Sequence, residues 1–384
     1  MAIRVNPNLI LEIERYGAED VQKCYHCGNC SAVCTHADSD FLFPRKSMRQ
    51  LQMGLERRIE ASLEPWLCYY CGQCSAQCPR GAEPGETMMS LRRWLTARYD
   101  VTGISGLFYR SWKAELLAIV LVALATCAGF LAWGFSAGDI RAYDGPTAFL
   151  PSATVHVFDW VLAIVLAGIL GINAARMWWF TTGSGARVRP GLLSYLRKLH
   201  LLPFHFITQK RYALCESKRP WAAHLVMVLS YLTMLVLIMF FLHAMQSGPQ
   251  IRWPAHAFGY LASAGLLGTL SLALWSRVKR NGPQFKHSHE SDWIFLILLL
   301  IVTATGVAQH VLHRAGPPLA ANVAYVVHLS FVVPMLVLEV PFSKWAHMAY
   351  RPLAVWLAEV QKDALARKRS AEAGAALVPR PRAA

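Results

Sequence analysis

The chain has 384 residues, 55% of them hydrophobic, with a formal net charge of +15. Length alone admits two or three domains. The apolar content is unevenly placed, charged and cysteine-rich up to about Lys113 and dominated by long apolar runs beyond it, which excludes an ordinary soluble protein. The basic balance is no nucleic-acid signal, because the positive residues gather in particular loops between those runs.

The first twenty residues lack an apolar core followed by small residues, so they do not read as a secretory signal. The cysteines that follow are therefore expected in the cytoplasm, where thiols stay reduced and ligation is favoured over disulfides. Two stretches repeat each other. Cys24, Cys27, Cys30 and Cys34 carry two, two and three intervening residues, and Cys68, Cys71, Cys74 and Cys78 do the same. This is the bacterial ferredoxin spacing for a [4Fe–4S] cluster. Three thiolates on one tight loop grip three corners of a cubane, with Gly28 and Gly72 admitting the backbone close to the sulfides. The fourth cysteine opens a helix leading to the other cluster. The expected ligand sets are thus Cys24, Cys27, Cys30 and Cys78 for one cluster, and Cys68, Cys71, Cys74 and Cys34 for the other. Zinc is the competing reading of any Cys-x-x-Cys pair. Neither stretch contains Cys-x-x-Cys-His, the attachment motif of c-type haem. Thr35 stands where proline usually follows the fourth cysteine, and Pro79 keeps it. Between the motifs, residues 44–62 read as one helix with a basic face.

Six spans follow, at about 114–135, 158–180, 221–244, 256–275, 293–313 and 320–342, with tryptophans near their ends. The fold class expected is mainly α: a helical dicluster ferredoxin-like domain over 1–110, a six-helix transmembrane bundle over 111–355, and a basic tail over 356–384. The second-to-third loop carries Arg187, Arg189, Arg197, Lys198, Lys210, Arg211, Lys218 and Arg219; opposite loops offer Arg141, Arg252 and Arg314. The positive-inside rule then places both termini on the cytoplasmic side of the inner membrane. Cys127 and Cys215 are isolated in sequence and read as structural.

Histidines within spans are costly and point to function. His224 opens the third span and His243 closes it; His328 lies early in the sixth span and His347 just past its inner end. Each pair is 19 residues apart, about 28 Å of helix. Two antiparallel helices then hold one or two b haems, His224 with His347 near the inner face and His243 with His328 near the outer. An ideal helix turns about 100° too far over that interval, which a kink at Pro334 would correct. His256, His310 and His313 compete for the outer position. Glu339, five residues before Lys344, is either a proton relay for a quinone or that lysine's ion-pair partner.

The stretch His328-Leu-Ser-Phe to Val340-Pro-Phe-Ser-Lys-Trp-Ala-His347 resembles the last helix of the nitrate reductase gamma subunit family of dihaem b cytochromes. That resemblance implies haem ligation by His328 and His347, with the interval one residue longer here. It likewise implies His224 for the inner haem, whereas the family's other ligand on that helix falls near Met234. The N-terminal part resembles the dicluster ferredoxin domain of the heterodisulfide reductases. Its fusion to a b-type cytochrome of the heterodisulfide reductase kind resembles the membrane component of the quinone-interacting membrane-bound oxidoreductase family. The resemblance implies partner subunits carrying flavin and iron–sulfur clusters, and electron exchange between menaquinone or ubiquinone and adenylylsulfate reductase. No adjacent cysteine pair is present, so disulfide reduction by the chain itself is not expected. The competing reading is a membrane anchor that tethers a ferredoxin domain without haem or quinone chemistry.

Overall fold

The structure is a computed structural model, and it describes residues 4–136, 140, 152–183, 188–246 and 252–376. Arg141 and Arg187 lie outside these, as does the side chain of His243. All regular elements among the described residues are helical. In chain order they are α1 (Leu9–Glu14), α2 (Asn29–Ala32), α3 (Arg45–Gln52), α4 (Glu56–Glu60), α5 (Glu64–Leu67), α6 (Gln73–Ala76), α7 (Pro84–Tyr99) and α8 (Ile104–Arg110). The long helices α9 (Trp112–Ser136), α10 (Ser152–Thr182), α13 (Arg219–Gln246), α14 (Ala255–Val278), α15 (Glu290–Ala315) and α16 (Pro318–Pro334) follow, with short α11 (Leu192–Lys198) and α12 (Leu201–Thr208) between the second and third. A π-turn (Met335–Glu339) and the short α17 (Val340–Phe342) continue α16, and α18 (His347–Ala376) ends the chain.

The contacts divide the chain into two units, one of residues 1–95, 174–216 and 347–384, the other of 96–173 and 217–346. The first unit is built around the cysteine motifs. Met48, Leu51, Ile59, Trp66, Leu67, Met88, Leu91, Trp94 and Tyr350 are buried in its core. The helix that leads into the basic C-terminal segment packs within it. Within this unit α18 packs on α5, α11 and α12, Trp356 meets Trp178 and Tyr195, and Lys362 and Arg369 pair with Asp38 and Asp40.

The single helix expected over residues 44–62 is instead two, α3 and α4, broken at Met53–Leu55. Gly54 sits at φ +63°, a left-handed conformation that ends α3. Its carbonyl accepts a 2.9 Å hydrogen bond from the Asn6 amide, and a Cβ there would lie 2.3 Å from the Asn6 oxygen. Tertiary contact with the N-terminal segment overrides the helical periodicity.

The second unit holds the apolar helices. Six helical stretches are long and apolar enough to span hydrocarbon: Trp112–Trp133, Ala153–Thr182, Arg219–Leu242, Ala255–Val278, Glu290–Ala315 and Pro318–Phe342. Leu121, Leu124, Ile164 and Phe240 among them are exposed on the protein surface. A surface of that kind is stable against lipid, not water, so the chain is a multi-pass membrane protein. The second stretch is longer than the sequence pattern suggests, and its turns from Ala174 belong to the first unit. Elsewhere small residues let helices approach. A Cβ on Gly265 of α14 would meet Ser230 Oγ of α13 at 2.3 Å.

Pro334 is followed by the π-turn rather than by a simple bend. The imide cannot donate to its own turn, and a wider turn inserts an extra residue into the register. The side chains beyond it are thereby rotated relative to His328.

Candidate redox centres

Each cysteine motif folds into the same loop. His26 and Tyr70 sit at φ 59° and 54°, and Gly28 and Gly72 at 91° and 80°, immediately before α2 and α6. Positive φ at non-glycine residues is uncommon, and its occurrence at equivalent positions marks a loop bent for its contents. The amides of His26 and Tyr70 point at Cys24 and Cys68 Sγ, each at 3.4 Å, and the Ala82 amide points at Cys78 Sγ at the same distance. The turn after Cys34 closes through Ala37 to its carbonyl as the turn after Cys78 closes through Gly81, so Thr35 costs the first loop nothing in shape.

The two motifs interlock, with Asn29 donating to the Gln77 carbonyl at 2.7 Å. Burial first, then the charges of Cys24 and Cys27 and more weakly that of Cys78, push the Cys30 thiol up to about 11. Burial does the same to Cys34, also to about 11, with Cys68 and Cys71 the cysteines that add to it. Cys74 is pushed higher still by burial and then by Cys68, Cys71 and Cys34. The charge of Cys78 thus reaches Cys30, and that of Cys34 reaches Cys74, across the two motifs. Converging thiols of this sort resist ionisation until cations arrive, which is the donor chemistry of a cluster pocket.

Among the described residues no three His, Cys, Asp or Glu side chains converge tightly enough for a single metal ion. Eight thiols carried on two loops of the same shape are the donor set of two cubanes.

Arginines hold the loops from outside. Arg45 donates from Nε to the His26 carbonyl at 3.0 Å. Arg92, buried, donates to the Pro65 and Cys68 carbonyls, and Arg351 donates to the latter at 3.3 Å while lying 4.4 Å over the Tyr69 ring. Positive charge beside a cluster favours its reduced, more negative state.

Cys215, expected to be isolated, is not. It is buried, 3.2 Å from His36 Nε2, and hydrogen-bonded to Cys71. A cluster-ligating Cys71 is a thiolate with no proton to give, so in that bond Cys71 accepts and Cys215 donates. His36 is held down to about 4 by burial, then by Arg211 and Arg351. Nothing in the local sequence of Cys215 announces this; it comes from the chain's return after α12.

In the second unit, His328 is half-buried on the side of α16 that meets α15. Its Nδ1 lies 3.0 Å from Thr305 Oγ1, whose own proton goes to the Ile301 and Val302 carbonyls. A hydroxyl used in that way accepts from Nδ1–H, which leaves the Nε2 lone pair as a metal ligand requires. Gly306 provides the room, since a Cβ there would stand 3.0 Å from the ring. His256 and His310 face each other at 5.6 Å between ring centres, and His310 also meets the Tyr260 hydroxyl at 2.9 Å. His313 is in the last turn of α15. His224 is in the first turns of α13 and His347 begins α18.

Glu339 is not the partner of Lys344, which pairs with Asp292. Its neighbour is Glu115, from the first turn of α9; both are fully buried. Ser343 donates to Glu115 Oε1 at 2.6 Å, whereas neither oxygen of Glu339 has a partner at full hydrogen-bond geometry. In sequence, position 115 reads as an ordinary helix-start carboxylate, and only the fold brings its partner to it.

A cysteine-rich helical domain built for two clusters, in one chain with six membrane-spanning helices, defines a membrane-anchored iron–sulfur protein. Residues 20–82 match the family model of the 4Fe-4S dicluster domain. The N-terminal part is therefore a [4Fe–4S]-binding domain of the electron-transfer type. No curated protein and no solved structure matches the chain.

Proposed function

We propose that the chain is the electron-transfer subunit of a quinone-linked membrane oxidoreductase complex. It relays electrons between menaquinone or ubiquinone and a cytoplasmic flavin and iron–sulfur partner, with adenylylsulfate reductase as the acceptor or donor beyond. The observation that carries this reading is His328, a half-buried imidazole inside a membrane helix, anchored by Thr305 as a metal ligand is. A plain anchor has no use for such a residue.

In this reading Cys24, Cys27, Cys30 and Cys78 hold one cubane, and Cys68, Cys71, Cys74 and Cys34 the other. His224 and His347 hold the inner b haem, and His328 with His243 the outer. Haem supplies a one-electron carrier within hydrocarbon. His256 and His310 are engaged with Tyr260 and the Arg252 backbone and are the weaker choice for the outer position. Glu339, facing Glu115, passes a proton at the quinone, since quinone reduction takes up two electrons and two protons. Basic loops place both termini on the cytoplasmic side of the cytoplasmic membrane, and the functional division falls at 1–110, 111–355 and 356–384.

The test is optical and EPR spectroscopy of the purified chain across a range of potentials, with iron and haem counted. Two cubane signals and a Soret band with b-type α-bands are expected. Protein that carries iron and sulfide but never haem, including when expressed with excess haem precursor, returns the membrane part to a simple anchor.

A further inference from the structure

The two cysteine motifs are near copies in sequence, yet their surroundings differ at one position. Cys27, second in its motif, is exposed. Its counterpart Cys71 is half-buried beside the segment between α12 and α13, which lays Tyr212 on Tyr69 at 5.1 Å between ring centres and joins Glu216 to Gln73 at 2.5 Å. That segment brings Cys215 against Cys71 and His36. All of these residues belong to the first unit.

We propose that Cys215 is a positioning and tuning residue for the cluster held by Cys34, Cys68, Cys71 and Cys74: its S–H donates to the Cys71 sulfur, His36 Nε2–H donates to Cys215, and the chain of two bonds raises that cluster's reduction potential. The inference rests on the ligand assignment above. Its physics is that reduction adds one negative charge shared by the ligating sulfurs, and a donor aimed at one of them stabilises the reduced state. Cys215 is itself buried, so its donor acts at a lower local dielectric and matters more than it would at the surface. Other roles fit less well. A structural cysteine needs no imidazole at hydrogen-bond distance, and a fifth thiolate ligand would displace Cys71 from a complete set of four.

The experiment is an EPR-monitored titration of the full-length chain with Cys215→Ala, Cys215→Ser and His36→Leu. At the wild-type midpoint, Cys215→Ala should reduce the reduced-to-oxidised ratio of one cluster about tenfold, or about 59 mV for a one-electron couple, leaving the other cluster in place. Cys215→Ser, which keeps a donor, should retain most of the ratio, and His36→Leu should lower it by about threefold. An exchangeable proton coupled to the reduced cluster should be present in wild type and Cys215→Ser. If Cys215→Ala fails to assemble the cluster, His36→Leu decides: an unshifted potential overturns the proposal. It is equally overturned if Cys215→Ala shifts neither cluster or both alike. Cys68→Ala separates this from the ligand assignment, because loss of one cluster signal there upholds the assignment whatever Cys215 does.

Discussion

The proposed crossing of the two ligand sets makes a demand on single residues. Replacing Cys78 with alanine should cost the cluster nucleated by Cys24, Cys27 and Cys30, although Cys78 belongs to the other motif; Cys34→Ala should cost the cluster of Cys68, Cys71 and Cys74. Iron counting with EPR reads the result, and uncrossed losses would refute the assignment. His328 makes a parallel demand. Thr305→Val removes the acceptor of Nδ1–H while keeping shape, and partners of this kind are worth roughly 10–100-fold in metal affinity. Haem content under limiting haem should fall accordingly, with both cluster signals unchanged. Unchanged haem would make Thr305 an ordinary helix hydroxyl. The eight cysteines and His328 are legible in the sequence, because spacing and an apolar setting are local properties. Cys215 and Glu115 are not legible, because each gains its meaning from a partner 144 and 224 residues away in the chain (71 to 215, 115 to 339).

At the scale of elements, the helices with strong apolar patterns are all visible in sequence, whereas the break between α3 and α4 is not. Gly54 alone does not force a break, and the Asn6 contact that does lies far outside the pattern. Gly54→Ala should therefore destabilise the first unit by at least about 2 kcal/mol, from the left-handed backbone and the collision with the Asn6 carbonyl together. Chemical denaturation followed by helical content measures it. The Lys46–Glu64 pair ties α3 to α5 in the same unit, with Ser62 Oγ also donating to Glu64 at 2.5 Å. Burial works to raise the Glu64 carboxyl, but the charge and hydrogen bond of Lys46 outweigh it and hold the group below its usual range. A lowered carboxylate contributes stability above its unfolded value of about 4.3, lost as pH falls through the folded value. Lys46→Met should cost about 3 kcal/mol at pH 7 by leaving a buried charge unpaired. The gap between the two proteins should narrow towards pH 4; acid loss of iron, common to both, cancels in that difference. A gap independent of pH would mean that Lys46 acts through packing alone.

For the molecule as a whole, the question is whether the membrane half does chemistry or only holds the clusters in place. The buried carboxyls give that question a test. Two carboxyl groups facing each other away from water do not readily both carry charge, and Ser343 donates to Glu115 Oε1. An anchor gains nothing from that arrangement, since an apolar pair of similar volume would pack at least as stably. A quinone-reactive subunit gains a proton carrier, and a positioned acid–base group contributes roughly 10²–10⁴-fold to rate. Glu339→Gln keeps the shape and the contact with Glu115 but cannot release a proton. In membranes carrying the complete complex it should slow quinol-driven reduction of the clusters by about 10²-fold, with cluster and haem spectra intact. Reduction of the clusters by a soluble donor that bypasses quinone should be unaffected. Equal rates by both routes would mean that the proton travels elsewhere and that the Glu115–Glu339 pair only joins α9 to the π-turn. A loss by both routes would place the defect in the relay rather than at the quinone.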